Sequence, residues 1–172
     1  MKEKMLPDVH LRAIEPEDLD FLYTIENDTS IWSIGNTNVP YSRYTLHDYV
    51  ANASGDIYTD KQVRLMIEDE QQTVVGIIDL VNFDPRHLRA EVSIVIQQTH
   101  RRKGWASAAL KVISTYALKV LHLHQLYAVV DIENNGSVTL FETVGFKNRI
   151  QLKEWLFNGH SYHDAIVLQK IL

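Results

Sequence analysis

The 172-residue chain contains no cysteine. That excludes a disulfide framework, a thiolate zinc site and a cysteine nucleophile, and it leaves the redox state of the compartment open. Glycine and proline are scarce, at 7 and 4 residues. No linker, repeat or low-complexity stretch divides residues 1–172, which read as one domain. No apolar run approaches the ~20 residues of a membrane span. Met1 to His10 carries charge but no apolar core of signal-peptide kind, so a cytoplasmic location without membrane attachment is expected. Basic charge is outnumbered as well: 17 Lys and Arg against 22 Asp and Glu give a formal charge of −5. Nucleic acid is a poor match for that balance, and a cationic small molecule is a better one.

What is present is a regular alternation of strand and helix patterns. Val9–Ile14 reads as a short strand. Glu15-Pro16-Glu17-Asp18 opens a helix with proline and acids in its first turn, and the helix fails near Asn27-Asp28. Thr29 to Tyr41, with Gly35 and Pro40, reads as a loop. Ser42 caps a second helix reaching about Ala53. Gln62–Glu68 and Thr73–Phe83 flank a polar turn and predict a hairpin. Arg89–Ile96 alternates, with Glu91, Ser93 and Val95 on one face and Val92, Ile94 and Ile96 on the other. The longest helical periodicity runs from about Lys103 to Val120. Gln125–Val130 is a buried-type strand, and Ser137–Val144 a short helix stopped by Gly145. Asn158-Gly159 turns a last hairpin between Arg149–Phe157 and His160–Leu168. The order β-α-α-β-β-β-α-β-α-β-β predicts a mixed sheet with helices packed on it.

The chemistry concentrates in His100-Arg101-Arg102-Lys103-Gly104-Trp105-Ala106, between a strand and the longest helix. Small residues at 104 and 106 allow a ligand close to the main chain. The first N–H groups of a helix lack internal partners and carry partial positive charge, so a pyrophosphate can accept them. A solvated basic helix start with a glycine turn has the same local pattern. A second segment about thirty residues on, Asn134-Asn135-Gly136-Ser137-Val138-Thr139-Leu140-Phe141-Glu142-Thr143-Val144-Gly145-Phe146, favours the ligand reading.

Together, Arg101-x-x-Gly104-x-Ala106 and Asn134-x-x-Ser137, continuing through Leu140-Phe141-Glu142-x-Val144-Gly145-Phe146, resemble the GNAT (Gcn5-related) N-acetyltransferase superfamily. Arg89–Ile96 and the ending Glu154 to Tyr162 are similar to its spermidine and ribosomal-protein N-terminal acetyltransferases. The resemblance implies a three-layer α/β/α fold whose mixed central sheet splays between Arg89–Ile96 and Gln125–Val130. It implies acetyl-CoA as cosubstrate. The pantetheine arm would pair with main-chain groups of Ile94, Val95 and Ile96. Arg101, Arg102, Lys103, Gly104, Trp105, Ala106 and Ser107 would hold the pyrophosphate, Asn134 would bond the arm, and the helix carrying Ser137 and Phe141 would border it.

The implied reaction is direct attack of a neutral amine on the thioester. An alkylammonium has a pKa of about 10.4, so a proton must first leave. Glu91 is the candidate base, raised from its usual ~4.3 by burial; a strand glutamate facing solvent or paired with Arg89 or Arg101 is the other reading. A main-chain N–H near Val95 or Ile96, or solvent, would stabilise the oxyanion. Many relatives carry tyrosine where Phe141 stands, and its hydroxyl is their proposed general acid. Phenylalanine has no proton to give, and Tyr116, Tyr127 or Tyr162 are the available substitutes.

For the acceptor, the resemblance points to the first two helices, their loop and the last hairpin. Glu26, Asp28 and Tyr41 are candidate substrate contacts, with Asp48 and Asp56 nearby; ordinary surface acids read the same way. Spermidine acetyltransferases typically carry an acidic pair before the proline-tyrosine of this loop, where this chain has Asn36-Thr37-Asn38-Val39-Pro40-Tyr41. His122-x-His124 reads as a helix exit, and no metal site is expected. His160 and His163 in the hairpin are candidates for touching substrate or a partner chain, and the hairpin edge suits a homodimer or larger homo-oligomer. The acceptor is therefore a small-molecule amine, polyamine or amino-acid-like. The alternatives are a peptide N-terminus, or a non-catalytic acyl-CoA-binding regulatory domain.

Overall fold

A computed structural model describes residues 5–29, 31 and 39–172. Trp32, Gly35 and Asn36 to Asn38 lie outside the described residues. The strands are β1 His10–Ala13, β2 Val63–Glu68, β3 Val74–Asp84, β4 Arg89–Ile96, β5 Gln125–Asp131, β6 Lys147–Phe157 and β7 Tyr162–Ile171. They form one seven-stranded sheet in the order β1-β2-β3-β4-β5-β7-β6. Every neighbouring pair is antiparallel except β4 and β5. The helices are α1 Leu19–Glu26, α2 Arg43–Asn52, α3 Ile57–Asp60, α4 Trp105–Lys119 and α5 Asn135–Thr143.

Local signals account for the helix starts. Pro16 opens a 3-10 turn that runs into α1, and Asp18 accepts the Glu15 N–H at 2.8 Å. Ser42 Oγ accepts the Thr45 N–H at 3.0 Å and starts α2. α3 has no counterpart in the sequence reading. It is a single turn, capped by Asp56 accepting the Tyr58 N–H and ended by Lys61 at φ 57°.

The sheet has apolar packing on both faces, which makes three layers. Val92, Ile96, Leu126, Ala128 and Val130 pack with Ala109, Leu110 and Ile113 of α4 and with Val138 and Phe141 of α5. On the other face Met66, Ile77 and Val95 pack with Leu22 and Ile25 of α1 and Leu46 of α2. Strand alternation therefore sends Glu91, Ser93 and Val95 to the α1–α2 face. Among the described residues, no helix is long and apolar enough to cross a membrane.

Candidate active site

β4 and β5 pair at only three positions, Arg89 with Gln125, Ala90 with Leu126 and Glu91 with Tyr127. Beyond these the strands part. β4 continues to Ile96 beside β3, and β5 continues to Asp131 beside β7. Each strand thus presents one row of main-chain polar groups to the opening, where an extended arm with amide groups can add like a strand. Ile94, Val95 and Ile96 line the β4 side. The Ile96 carbonyl there accepts a hydrogen bond from Arg101 Nε at 2.9 Å, so the arginine is anchored at the mouth.

The chain then makes a 3-10 turn over Gln98–His100 and reaches α4 through Arg102 at φ 63° and Gly104 at φ 94°. Gly104 is the N-cap of α4 and offers no side chain to its first-turn N–H groups. Those of Trp105, Ala106 and Ser107 are thereby left to an outside acceptor. A Cβ on Gly104 would lie 3.0 Å from Pro7 Cδ, so the N-terminal segment closes over this turn. Lys103 Nζ is drawn back to the Thr99 carbonyl at 2.9 Å, and Arg102 is exposed. The indole N–H of Trp105 is buried with no hydrogen-bond partner. Unfilled donors beside exposed cations fit a diphosphate.

Across the opening, Asn134 caps α5 by accepting the Ser137 N–H at 3.1 Å through Oδ1. Its amide NH₂ makes no bond among the described residues. Phe141 is buried and meets Phe146 edge-on at 5.0 Å. It belongs to the core under the opening.

On the α1–α2 face Glu91 is half-buried, and its Oε2 accepts a hydrogen bond from Asn82 Nδ2 at 2.8 Å. Burial pushes its pKa up, and the Asn82 bond draws it partly back. Among the described residues neither arginine offered as an alternative partner pairs with it: Arg89 pairs with Asp84 at 3.1 Å and Arg101 donates to the Ile96 carbonyl. Tyr127, its register partner on β5, also has a raised pKa, from burial and then from the Glu91 charge. Of the three candidate tyrosines it stands beside Glu91. Tyr116 packs against the core, and Tyr162 is exposed in the hairpin.

The candidate acceptor residues divide. Glu26 is held by Arg64, which also grips Asp79 through two bonds of 2.8 and 2.9 Å. Tyr41 is fastened to the end of α1 by Asn27, which donates to its carbonyl at 3.0 Å and accepts its N–H at 2.8 Å. Asp28 is half-buried at the same end, its carbonyl accepting the Ile31 N–H at 3.1 Å. The sequence reading passed over Asp131, Glu133 and Asn82. His163 Nδ1 lies 3.3 Å from Asp131 Oδ2 and 3.4 Å from Glu133 Oε2, at the wide end of the opening. Asp131 and Glu133 sit just before Asn134, a nearness that could have drawn attention to them. Nothing in the sequence signals that His163 folds back onto them.

Residues 8–147 match the acetyltransferase (GNAT) domain. The chain belongs to the GNAT acetyltransferase family. It is an N-acetyltransferase that takes its acetyl group from acetyl-CoA. It is 30% identical to the spermidine N(1)-acetyltransferase of Vibrio cholerae over 155 residues, 90% of this chain and 88% of that one. To the enzyme of that name from Escherichia coli K12 it is 30% identical, over 92% and 83% of the two chains. Among solved structures it resembles spermidine N-acetyltransferase from V. cholerae in complex with CoA and spermine. The TM-score is 0.84 at 29% identity, over 95% of both chains.

Proposed function

We propose that the acceptor is a polyamine of the spermidine type. The observation that carries this reading is the likeness to spermidine acetyltransferases along nine-tenths of the chain. The carboxylates of Glu91, Asp131 and Glu133 at and beyond the strand divergence give a chain of ammonium groups partners at more than one point. The stretch Asn36 to Asn38 lacks the acid pair of related enzymes, which assigns a larger share of cation recognition to these three.

In this reading Ile94, Val95 and Ile96 pair with the pantetheine arm. Arg101 to Ser107 hold the pyrophosphate, and Asn134, Ser137 and Phe141 border the arm. Glu91 takes a proton from the bound ammonium, directly or through water. The freed nitrogen attacks the thioester carbon, and the tetrahedral intermediate collapses with loss of the C–S bond. The nitrogen gives its second proton to solvent as the amide forms, and coenzyme A leaves as thiolate. With a thiol pKa near 8.5 that thiolate is a tolerable leaving group, and solvent or Tyr127 returns its proton in place of the hydroxyl Phe141 lacks.

Residues 1–172 act as one catalytic domain in the cytoplasm and assemble as a homo-oligomer. Ile150, Trp155, Phe157 and Tyr162 are all more than half exposed on the β6–β7 hairpin, an apolar group of the kind that subunit contacts cover. A V. cholerae spermidine N-acetyltransferase of 28% identity is known as a dodecamer.

The test is thiol release from acetyl-CoA with spermidine, spermine, putrescine, free amino acids and a peptide with a free N-terminus. The expected order places spermidine and spermine highest in kcat/KM. Preference for the peptide or an amino acid would overturn the polyamine reading. Replacing Glu91 with glutamine should lower kcat about 10²–10⁴-fold, the range of general-base catalysis. Light scattering on the purified protein should give a mass several times 19.8 kDa.

A further inference from the structure

Asn82 sits in a β-bulge. Val81 pairs with Glu91 and Asp84 with Arg89, so two residues of β3, Asn82 and Phe83, stand against Ala90 alone on β4. In a regular ladder Asn82 would face Ala90, whose side chain lies in the main core. The extra residue changes that. Asn82 takes φ 51°, a left-handed conformation that asparagine tolerates better than most residues. Phe83 takes the core position, meeting Tyr58 edge-on at 5.0 Å. The amide of Asn82 is released to the other side, where Nδ2 reaches Glu91 Oε2 at 2.8 Å. Among the described residues this is the one side-chain hydrogen bond made to the Glu91 carboxylate, and Oε1 is left for the acceptor.

We propose that Asn82 is a positioning residue for the transfer reaction: the bulge turns its amide onto Glu91 Oε2, fixing the carboxylate with Oε1 open to the incoming ammonium. The inference rests on Glu91 serving as the base. A neutral donor suits that role better than an arginine. An ion pair would hold the carboxylate ionised and weaken it strongly as a proton acceptor, whereas an amide orients it and lowers its basicity less. The Asn82 bond acts against the rise in Glu91 pKa that burial causes, so its loss should raise that pKa further.

Two variants separate this from a merely structural bond. Asn82→Gly keeps the left-handed backbone and deletes the amide; Asn82→Asp keeps the shape and puts a second negative charge beside Glu91. The readouts are the pH profile of kcat/KM for spermidine, the Kd for CoA, and the Glu91 carboxyl titration by carbon-13 NMR. Asn82→Gly should lower kcat/KM about tenfold at neutral pH, with the Kd for CoA unchanged. The acid limb and the Glu91 titration should rise together by about one pH unit, the effect of a lost hydrogen bond to a charged group. Asn82→Asp should move both further. A Glu91 titration that does not move in Asn82→Gly overturns the proposal, as does one that moves while the acid limb stays put. Glu91→Gln serves as the separate control. If it retains wild-type kcat, Glu91 is not the base and the proposal falls with it; if it is slow, the Asn82 variants judge Asn82 alone.

Discussion

Gly76 is where a single methyl group tests how the proposed donor site is built. It lies on β3 opposite Ile96, the last residue of β4. A Cβ built there would stand 2.4 Å from the Val95 carbonyl oxygen and 2.9 Å from Ile96 Cδ1. The isoleucine tip can swing away, but the carbonyl belongs to the main chain. Restoring ordinary contact beyond 3.4 Å requires β4 to retreat by about 1 Å from β3, toward the opening. Overpacking of this kind costs about 1–3 kcal/mol. For a chain of this size 1 kcal/mol lowers Tm by about 2–4 °C, so Gly76→Ala should melt about 2–12 °C below wild type. The same shift moves the Val95–Ile96 edge into the space assigned to the pantetheine arm, so CoA should bind at least about tenfold more weakly. Thermal melts with and without saturating CoA read both effects, because the ligand-induced rise in Tm follows RT ln(1 + [L]/Kd). Gly136→Ala in α5 is the control, since its Cβ would meet nothing nearer than 3.7 Å and alanine favours the helix. If Gly76→Ala melts with wild type and binds CoA equally well, β4 is not held against β3 as described.

Gly104→Glu should abolish CoA binding in calorimetry. It forces a carboxylate-bearing residue to φ 94°, with its Cβ 3.0 Å from Pro7, at the turn proposed to meet the diphosphate; binding within twofold of wild type would refute that placement. Phe141→Tyr supplies the hydroxyl that related enzymes carry. It should raise kcat if leaving-group protonation limits turnover, and should lower stability by about 1–3 kcal/mol where the hydroxyl enters the packing against Phe146 unpaired; stopped-flow rates and melts read both, and a flat kcat leaves the proton to solvent or Tyr127. Asp18 is buried, which alone would raise its pKa, but its hydrogen bonds with Arg12 and the Glu15 N–H hold it below the usual carboxylate value. That stabilisation is present above the unfolded pKa and is lost as pH falls through the folded one. Asp18→Asn should therefore show a smaller loss of urea stability between pH 7 and pH 3 than wild type, and an equal loss would contradict it.

Much of the proposed donor site is local in character, and local character is legible in a sequence. Gly104 at the turn before α4 and the unpaired first turn of that helix are each set by a few consecutive residues, whereas α5 starts at Asn135, capped by Asn134, two residues before the Ser137 start that its sequence suggests. Ser42 before α2 and the Asn158-Gly159 turn, with Gly159 at φ 95°, are of the same kind. The acceptor side was far less legible. Glu26 reads as an available acid until Arg64, 38 residues on, is seen to hold it. α3 was missed because a four-residue turn has no periodicity to detect.

What the sequence by itself determined is the order of elements, the two faces of each strand, and the cap and turn chemistry, because propensity, alternation and capping act over a few residues. What only the tertiary structure decided is where strands stop pairing and which distant side chains meet. β4 and β5 part after Glu91 because β3 holds one and β7 the other. β7 lies between β5 and β6, so His163 lands on Asp131 and Glu133. The bulge that turns Asn82 to Glu91 exists only in the register of β3 against β4. Register and divergence are settled by burial on both faces of a whole sheet, and no window of neighbouring residues contains that sum.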